Sequence, residues 1–171
     1  MYKNLLLSII VFLGKVVIIP GVLVWLTKGT QFAAQLAAPH QIVFWAGLIL
    51  IAAGAGLDLW TLQLFVAHGE GTPTPWKPPQ KLVVLGPYRH VRNPMISGLL
   101  LILLGEALLL QSLPLLAWWG AFWLANIIFL QKFEERNLLA RHGEDYAQYM
   151  AHVPRWLPRL RPWTGTPEKN D

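Results

Sequence analysis

The chain has 171 residues, of which 54% are hydrophobic and only 13% charged, with a mean hydropathy of +0.42. Soluble domains carry about 25% charged residues, so there is too little polar surface here to coat a water-soluble globule, and much of the exterior must face lipid. The net charge of +5 sits in loops and the tail, where lipid headgroups and not nucleic acid are the expected partner, and the absence of cysteine excludes disulfides, thiolate metal ligands and a cysteine nucleophile.

Four apolar segments follow in chain order, at about 5–26, 42–67, 95–110 and 113–130. The first is interrupted by Lys15 and Pro20. It is too long for a signal-peptide core and has no clear small-residue cleavage site, so it reads as a retained membrane helix. The second carries Asp58 and Gln63. The third carries Glu106 and the fourth Asn126. Crossing a bilayer takes roughly 20 apolar residues. The first two segments meet that length, whereas the last two are short and joined only by Gln111-Ser112, which predicts a tight helical hairpin. The expected architecture is all-α, a single polytopic membrane domain over 1–171 with four spans and a C-terminal helical cap.

Four spans put the N-terminus, the 68–94 loop and the C-terminal tail on one side. Twelve of the fourteen Lys and Arg residues then lie on that side, Lys28 lies opposite and Lys15 lies within the first span. The excess of positive charge predicts that this side is cytoplasmic. Gly and Pro punctuate the 68–94 loop too densely for a long helix, with 81–85 as a short extended piece. Beyond it, residues from Phe133 to about Val153 repeat apolar and aromatic side chains at helical spacing, Gly143 bends or breaks that helix, and Pro154, Pro158 and Pro162 end regular structure.

Polar groups gather in two pieces, Gly86 to Pro94 before the hairpin and Glu134-Glu135-Arg136 after it. A tight antiparallel hairpin brings its open ends together, so the two pieces are expected to meet at one membrane face. They offer donors in Arg89, Arg92 and Asn93, acceptors in Glu134 and Glu135, and aromatic faces in Tyr88, Tyr146 and Tyr149. Carboxylates suit a ribose diol or an ammonium, and aromatic faces suit an adenine or a sulfonium. The same residues have plainer uses. Arg89 and Arg92 fit headgroup anchoring, Glu134 and Glu135 fit a solvated helix start, and the tyrosines fit an interfacial belt. His68 and His90 lack a partner at metal-ligand spacing, so no metal is expected. Gly47, Gly54 and Gly56 fit helix packing. Lys15, Asp58 and Glu106 are ionisable groups within spans with no assigned role.

The run Lys81-Leu82-Val83, Gly86-Pro87-Tyr88-Arg89, Arg92-Asn93-Pro94-Met95 and Gly98 resembles the isoprenylcysteine carboxyl methyltransferase and phospholipid methyltransferase group. Glu134-Glu135, Leu138, Gly143, Tyr146, Tyr149 and Val153-Pro154 resemble that group's second signature, so the likeness covers about 80–160. It implies an integral membrane methyltransferase that uses S-adenosylmethionine. Carried over, the cofactor-binding positions are Lys81, Leu82, Val83, Tyr88, Asn93, Pro94, Met95, Glu134 and Glu135, and the candidates nearest the reaction are Arg92 and Asn93. Two positions depart from the isoprenylcysteine pattern. Asn93 stands where His is usual and has no acid–base role near neutral pH, and Ile96 replaces a tyrosine. The implied acceptors are a prenylated cysteine carboxylate, an aminophospholipid headgroup, or a small hydrophobic thiol or isoprenoid entering from the bilayer. Two other classes share the layout: a steroid-reductase-like membrane enzyme using NADPH, and a non-catalytic scaffold or transporter subunit. The sequence carries no signal for an oligomeric state.

Overall fold

The computed structural model describes residues 10–68 and 82–165. Among these residues there is no strand, and the chain is built from helices α1 (Ile10–Leu26), α2 (Ile42–His68), α3 (Pro94–Leu109), α4 (Leu113–Phe129) and α5 (Glu135–His152). The Pro20 interruption in α1 is absorbed without a break. A π-turn, Gly14–Ile18, falls directly before the proline, where an α-helical carbonyl would meet its ring. A second π-turn, Leu130–Glu134, joins α4 to α5. The fourth apolar segment and the amphipathic cap, expected as separate pieces, therefore form one helical path from Leu113 to His152.

The segment Ile42–Leu64 and the α4–α5 path are long and apolar enough to cross a membrane, while α1 and α3 are shorter apolar helices. Only 17% of the most apolar window of α2 is buried within the chain. Ile42, Trp45, Ile49, Leu59 and Trp60 point outward, more than half exposed. A helix apolar all round and largely uncovered needs an apolar surrounding.

α2 and α3 approach at backbone distance. A Cβ added to Gly54 would sit 2.5 Å from the carbonyl oxygen of Gly98 and 2.8 Å from Cγ1 of Ile102. One added to Gly47 would sit 2.9 Å from the carbonyl of Gly105. Small residues let two helices close in this way when lipid offers no hydrophobic drive for association. Gly56, grouped with these in the sequence, has nothing within 4 Å of that position and takes no part. α1 packs across the hairpin, with Val16 buried among Leu99, Ile102 and Leu103 of α3 and Phe122 of α4. Lys15 lies with Nζ 5.6 Å from the Phe122 ring centroid, a cation–π contact that supports the charge within this layer.

The hairpin turn is as short as expected. Gln111 takes a left-handed conformation (φ 41°), and Ser112 caps α4 by accepting from the Leu115 N–H at 3.4 Å. The last carbonyls of this end of α3 are satisfied by the 27–41 segment, through Gln35 N–H to Leu110 O at 2.9 Å and Ala37 N–H to Leu109 O at 2.8 Å.

The two glycine positions should respond differently to alanine. Gly54→Ala forces a methyl into the α2–α3 contact and should cost about 1–3 kcal/mol, whereas Gly56→Ala should be neutral or slightly stabilising, since Ala is the better helix former. Thermal unfolding of the two variants in detergent, followed by circular dichroism, measures this difference.

Candidate functional site

The loop entering α3 is held from three sides. After Leu82, Val83 and Val84 are buried, and Gly86–Arg89 forms one 3-10 turn with Pro87 and Tyr88 buried. Val84 packs with Tyr146, Tyr149 and Val153 of the α5 end, with Leu82, Leu138, Met150 and Trp163 around them. The Tyr149 hydroxyl donates to the Tyr88 carbonyl at 2.7 Å. The apolar and aromatic repeat of α5 thus has a definite receiver, the segment before the 3-10 turn.

Gly143 turns α5 onto that receiver. Its φ of 49° and ψ of −123° lie outside the helical region, in a conformation that side chains with a Cβ rarely adopt. Nothing lies within 4 Å of a Cβ built there, so the requirement for glycine is conformational and not steric.

The proline-rich tail then lies along the same loop. Arg92 N–H donates to Pro154 O (2.9 Å), Arg159 N–H to His90 O (3.0 Å) and Trp163 N–H to Arg89 O (2.9 Å). Arg89 Nε donates to Trp163 O at 2.7 Å, and His90 Nδ1 to Arg159 O at 2.7 Å, which fixes the proton on Nδ1. The pairing accounts for backbone groups that the loop's prolines prevent from pairing in a regular element. Sequence reading missed it, because proline spacing marks where helix ends and says nothing of where an extended chain lies.

Glu135 closes the arrangement. Arg155 donates to both of its oxygens, Nε to Oε1 at 2.9 Å and Nη2 to Oε2 at 2.6 Å, and Arg92 Nη1 lies 2.9 Å from Oε1. The side chains of Glu135 and Arg92 are only 12% and 11% exposed and that of Arg155 22%, so the fork-shaped Arg155–Glu135 pair is charge-assisted and the cluster is largely shielded from water. The two polar pieces do meet, as the hairpin predicts. Arg155 is a partner of Glu135 that the sequence reading did not select. Its only sequence signal was its place just after Val153-Pro154.

The remaining sequence candidates are distributed as follows. Lys81 lies outside the described residues. Leu82 is half-buried and Val83 buried. Asn93 precedes α3 without a side-chain capping bond, and its carbonyl accepts from the N–H and hydroxyl of Ser97, each at 3.0 Å. Pro94, fully buried, occupies the first helical position, where its missing N–H costs nothing, and Met95 is half-buried. Arg92 Nε and Nη1 are buried without a hydrogen-bond partner among the described residues, so the approach of Nη1 to Glu135 is an ion pair and not a hydrogen bond. Glu134 is exposed, in contrast to Glu135. Burial pushes Tyr88 above the ordinary phenol range, so its hydroxyl stays protonated. No cluster of His, Cys, Asp and Glu able to hold a metal occurs among the described residues. An open cavity of about 430 Å³ lies at the opposite end of the hairpin, between Gln41–Val43 and the Gln111–Leu113 turn, away from all of these groups.

The phospholipid methyltransferase family matches this chain over residues 42–145, well over half of its length. The match takes in α2, the loop, the hairpin and Glu134-Glu135, so it reaches further toward the N-terminus than the two motifs alone. No curated protein matches the chain. The chain belongs to the phospholipid methyltransferase family, and family and apolar helices together point to an integral membrane enzyme of the methyltransferase class.

Glu134 and Glu135 should separate in a stability measurement. Glu135→Gln weakens the charge-assisted bonds to Arg155 and removes the ion pair with Arg92, and should cost about 2 kcal/mol, while Glu134→Gln should stay within about 0.5 kcal/mol of the parent, as exposed substitutions do. Denaturation midpoints of both variants in the same detergent provide the comparison.

Proposed function

We propose that the protein is an S-adenosylmethionine-dependent methyltransferase that modifies a lipid-like or prenylated acceptor at the cytoplasmic membrane face, by carboxyl O-methylation or headgroup N-methylation. The observation that carries this reading is the junction of the two motifs within a member of the phospholipid methyltransferase family, through Tyr149 to Tyr88 and Arg92 to Glu135. In this proposal all four apolar helices span the bilayer, with both termini and the 68–94 loop on the basic side.

The cofactor is received by the extended piece at Leu82 and Val83, by Tyr88 and by the Asn93-Pro94-Met95 entry to α3, with Lys81 from the adjoining segment. Glu134 takes the ribose diol. The reason for choosing it over Glu135 is chemical: both oxygens of Glu135 already accept from Arg155, whereas Glu134 is exposed. Glu135 then holds Arg92 in place, and the buried Nε of Arg92 remains as a donor toward an anionic part of the acceptor. Asn93 supplies polarity at the helix entrance and moves no proton.

Methyl transfer asks for little more. The sulfonium is a strong electrophile, and the acceptor attacks its methyl carbon in line while the sulfur leaves as a thioether. Alignment in a site shielded from water accounts for most of such an acceleration. A carboxylate acceptor needs no base, whereas an amine must be neutral before it attacks. The membrane brings a lipid acceptor laterally to a donor that arrives from water.

Calorimetric titration of the purified protein should give binding of S-adenosylhomocysteine and none of NADPH, and the reverse pattern removes the methyltransferase reading. Glu134→Ala should weaken S-adenosylhomocysteine at least about tenfold, a loss of roughly 1.4 kcal/mol, and an unchanged affinity takes Glu134 out of the site. Transfer of a labelled methyl group into a lipid extract identifies the acceptor.

A further inference from the structure

Most polar groups on the apolar helices are satisfied close to home. Asn126 donates to the Phe122 carbonyl one turn back at 2.7 Å, and the Thr61 hydroxyl donates to the Asp58 carbonyl at 2.9 Å. Lys15 rests over the Phe122 ring. The Asp58 carboxylate has no such arrangement. It is 7% exposed, and neither of its oxygens has a hydrogen-bond partner among the described residues. Both side-chain ion pairs of Arg92 and Arg155 end on Glu135 and not on Asp58.

The place of this carboxylate is specific. It lies against Gly98, the last glycine of the loop-to-α3 motif, where an added Cβ would collide with Oδ1 of Asp58. Gly98 therefore has a second use besides letting α2 and α3 close, because its bare Cα makes the notch in which Asp58 lies. The notch is one turn into α3, below the Gly86–Arg92 loop. The loop itself packs on the same helix, since a Cβ added to Gly86 would sit 3.2 Å from the Trp60 ring and 3.0 Å from Leu64, so the carboxylate belongs to the same corner of the molecule as the motif residues. A carboxyl group at membrane depth, facing the bundle interior without a partner, is costly to ionise, and its charged form is favoured only where an opposite charge is brought to it.

We propose that Asp58 is the counter-charge for the sulfonium of the methyl donor, drawing the positively charged sulfur to the α2–α3 notch beneath the loop. This rests on the methyltransferase reading of the site. The interaction is coupled to the chemistry. As the acceptor forms its bond to the methyl carbon, the S–CH3 bond breaks with its electron pair remaining on sulfur, and the sulfonium becomes a neutral thioether. The attraction to Asp58 ends at that step, so the site favours the charged donor over the spent product and assists exchange between them.

The test compares two ligands that differ in this charge. Calorimetry on the full chain in detergent should find S-adenosylmethionine bound at least tenfold more tightly than S-adenosylhomocysteine. Asp58→Asn should bring that ratio to near one while leaving S-adenosylhomocysteine within about twofold of the parent, and Asp58→Glu should keep a ratio of tenfold or more. Equal affinities in the parent protein overturn the proposal, as does an unchanged ratio in Asp58→Asn. Should Asp58→Asn fail to fold, the parent and Asp58→Glu decide, since a ratio near one in either is enough to overturn it. A parent protein that binds neither ligand refutes the methyltransferase reading itself, a result distinct from all of these.

Discussion

Glu135 accepts from Arg155 through both oxygens and lies 2.9 Å from Arg92, so one carboxylate ties together the loop before α3, the start of α5 and the tail beyond it. None of these pieces has an independent reason to stay in place. The loop is broken by proline, α5 is a polar helix that continues an apolar one, and the tail has no regular structure. With the carboxylate shielded, its charge is worth keeping only while both arginines remain, and that mutual need holds the three pieces in register. The backbone pairing of residues 89–92 with 154–163 and the aromatic cluster around Tyr146 and Tyr149 are possible because that register is fixed.

The membrane-embedded part prepares the same corner by different physics. Hydrophobic burial cannot assemble helices in lipid, so α2 and α3 associate by backbone proximity at Gly54–Gly98 and Gly47–Gly105. Such close contact fixes the rotation of each helix as well as their separation. The rotation that places Gly54 on Gly98 also places Asp58, one turn further along α2, at the entrance to α3. Helix packing and the position of an ionisable group are thus one decision and not two. The π-turn at Leu130–Glu134 has a comparable effect, because the wider turn sits immediately before the two adjacent glutamates, one of which is exposed and the other clamped.

Much of the site was legible in the sequence through a short argument. Two residues between two apolar runs require antiparallel helices, antiparallel helices require their open ends to be neighbours, and the polar pieces flanking those ends must then meet. Arg92 and Glu135 bear this out. Nothing in the order of residues divides Glu134 from Glu135, since adjacent carboxylates look alike until the partners of each are known. Nor does it mark Arg155, whose partner is twenty residues away across a kink at Gly143. Gly143 was recognised as a break, but the direction of the turn follows from its φ and ψ, which neighbouring side chains do not encode.

Composition and hydropathy by themselves determined that the chain belongs in lipid, that it is helical and that its third and fourth apolar runs form a hairpin. These properties depend on the solvent and on local chain length, both of which are written in the order of residues. The tertiary structure alone decided which glycines close the α2–α3 contact, which glutamate is held and which is exposed, that the tail lies along the loop, and that Asp58 lies against Gly98. Each of these depends on the rotation of a helix or on the conformation of one residue, and a rotation is settled only when two helices have met.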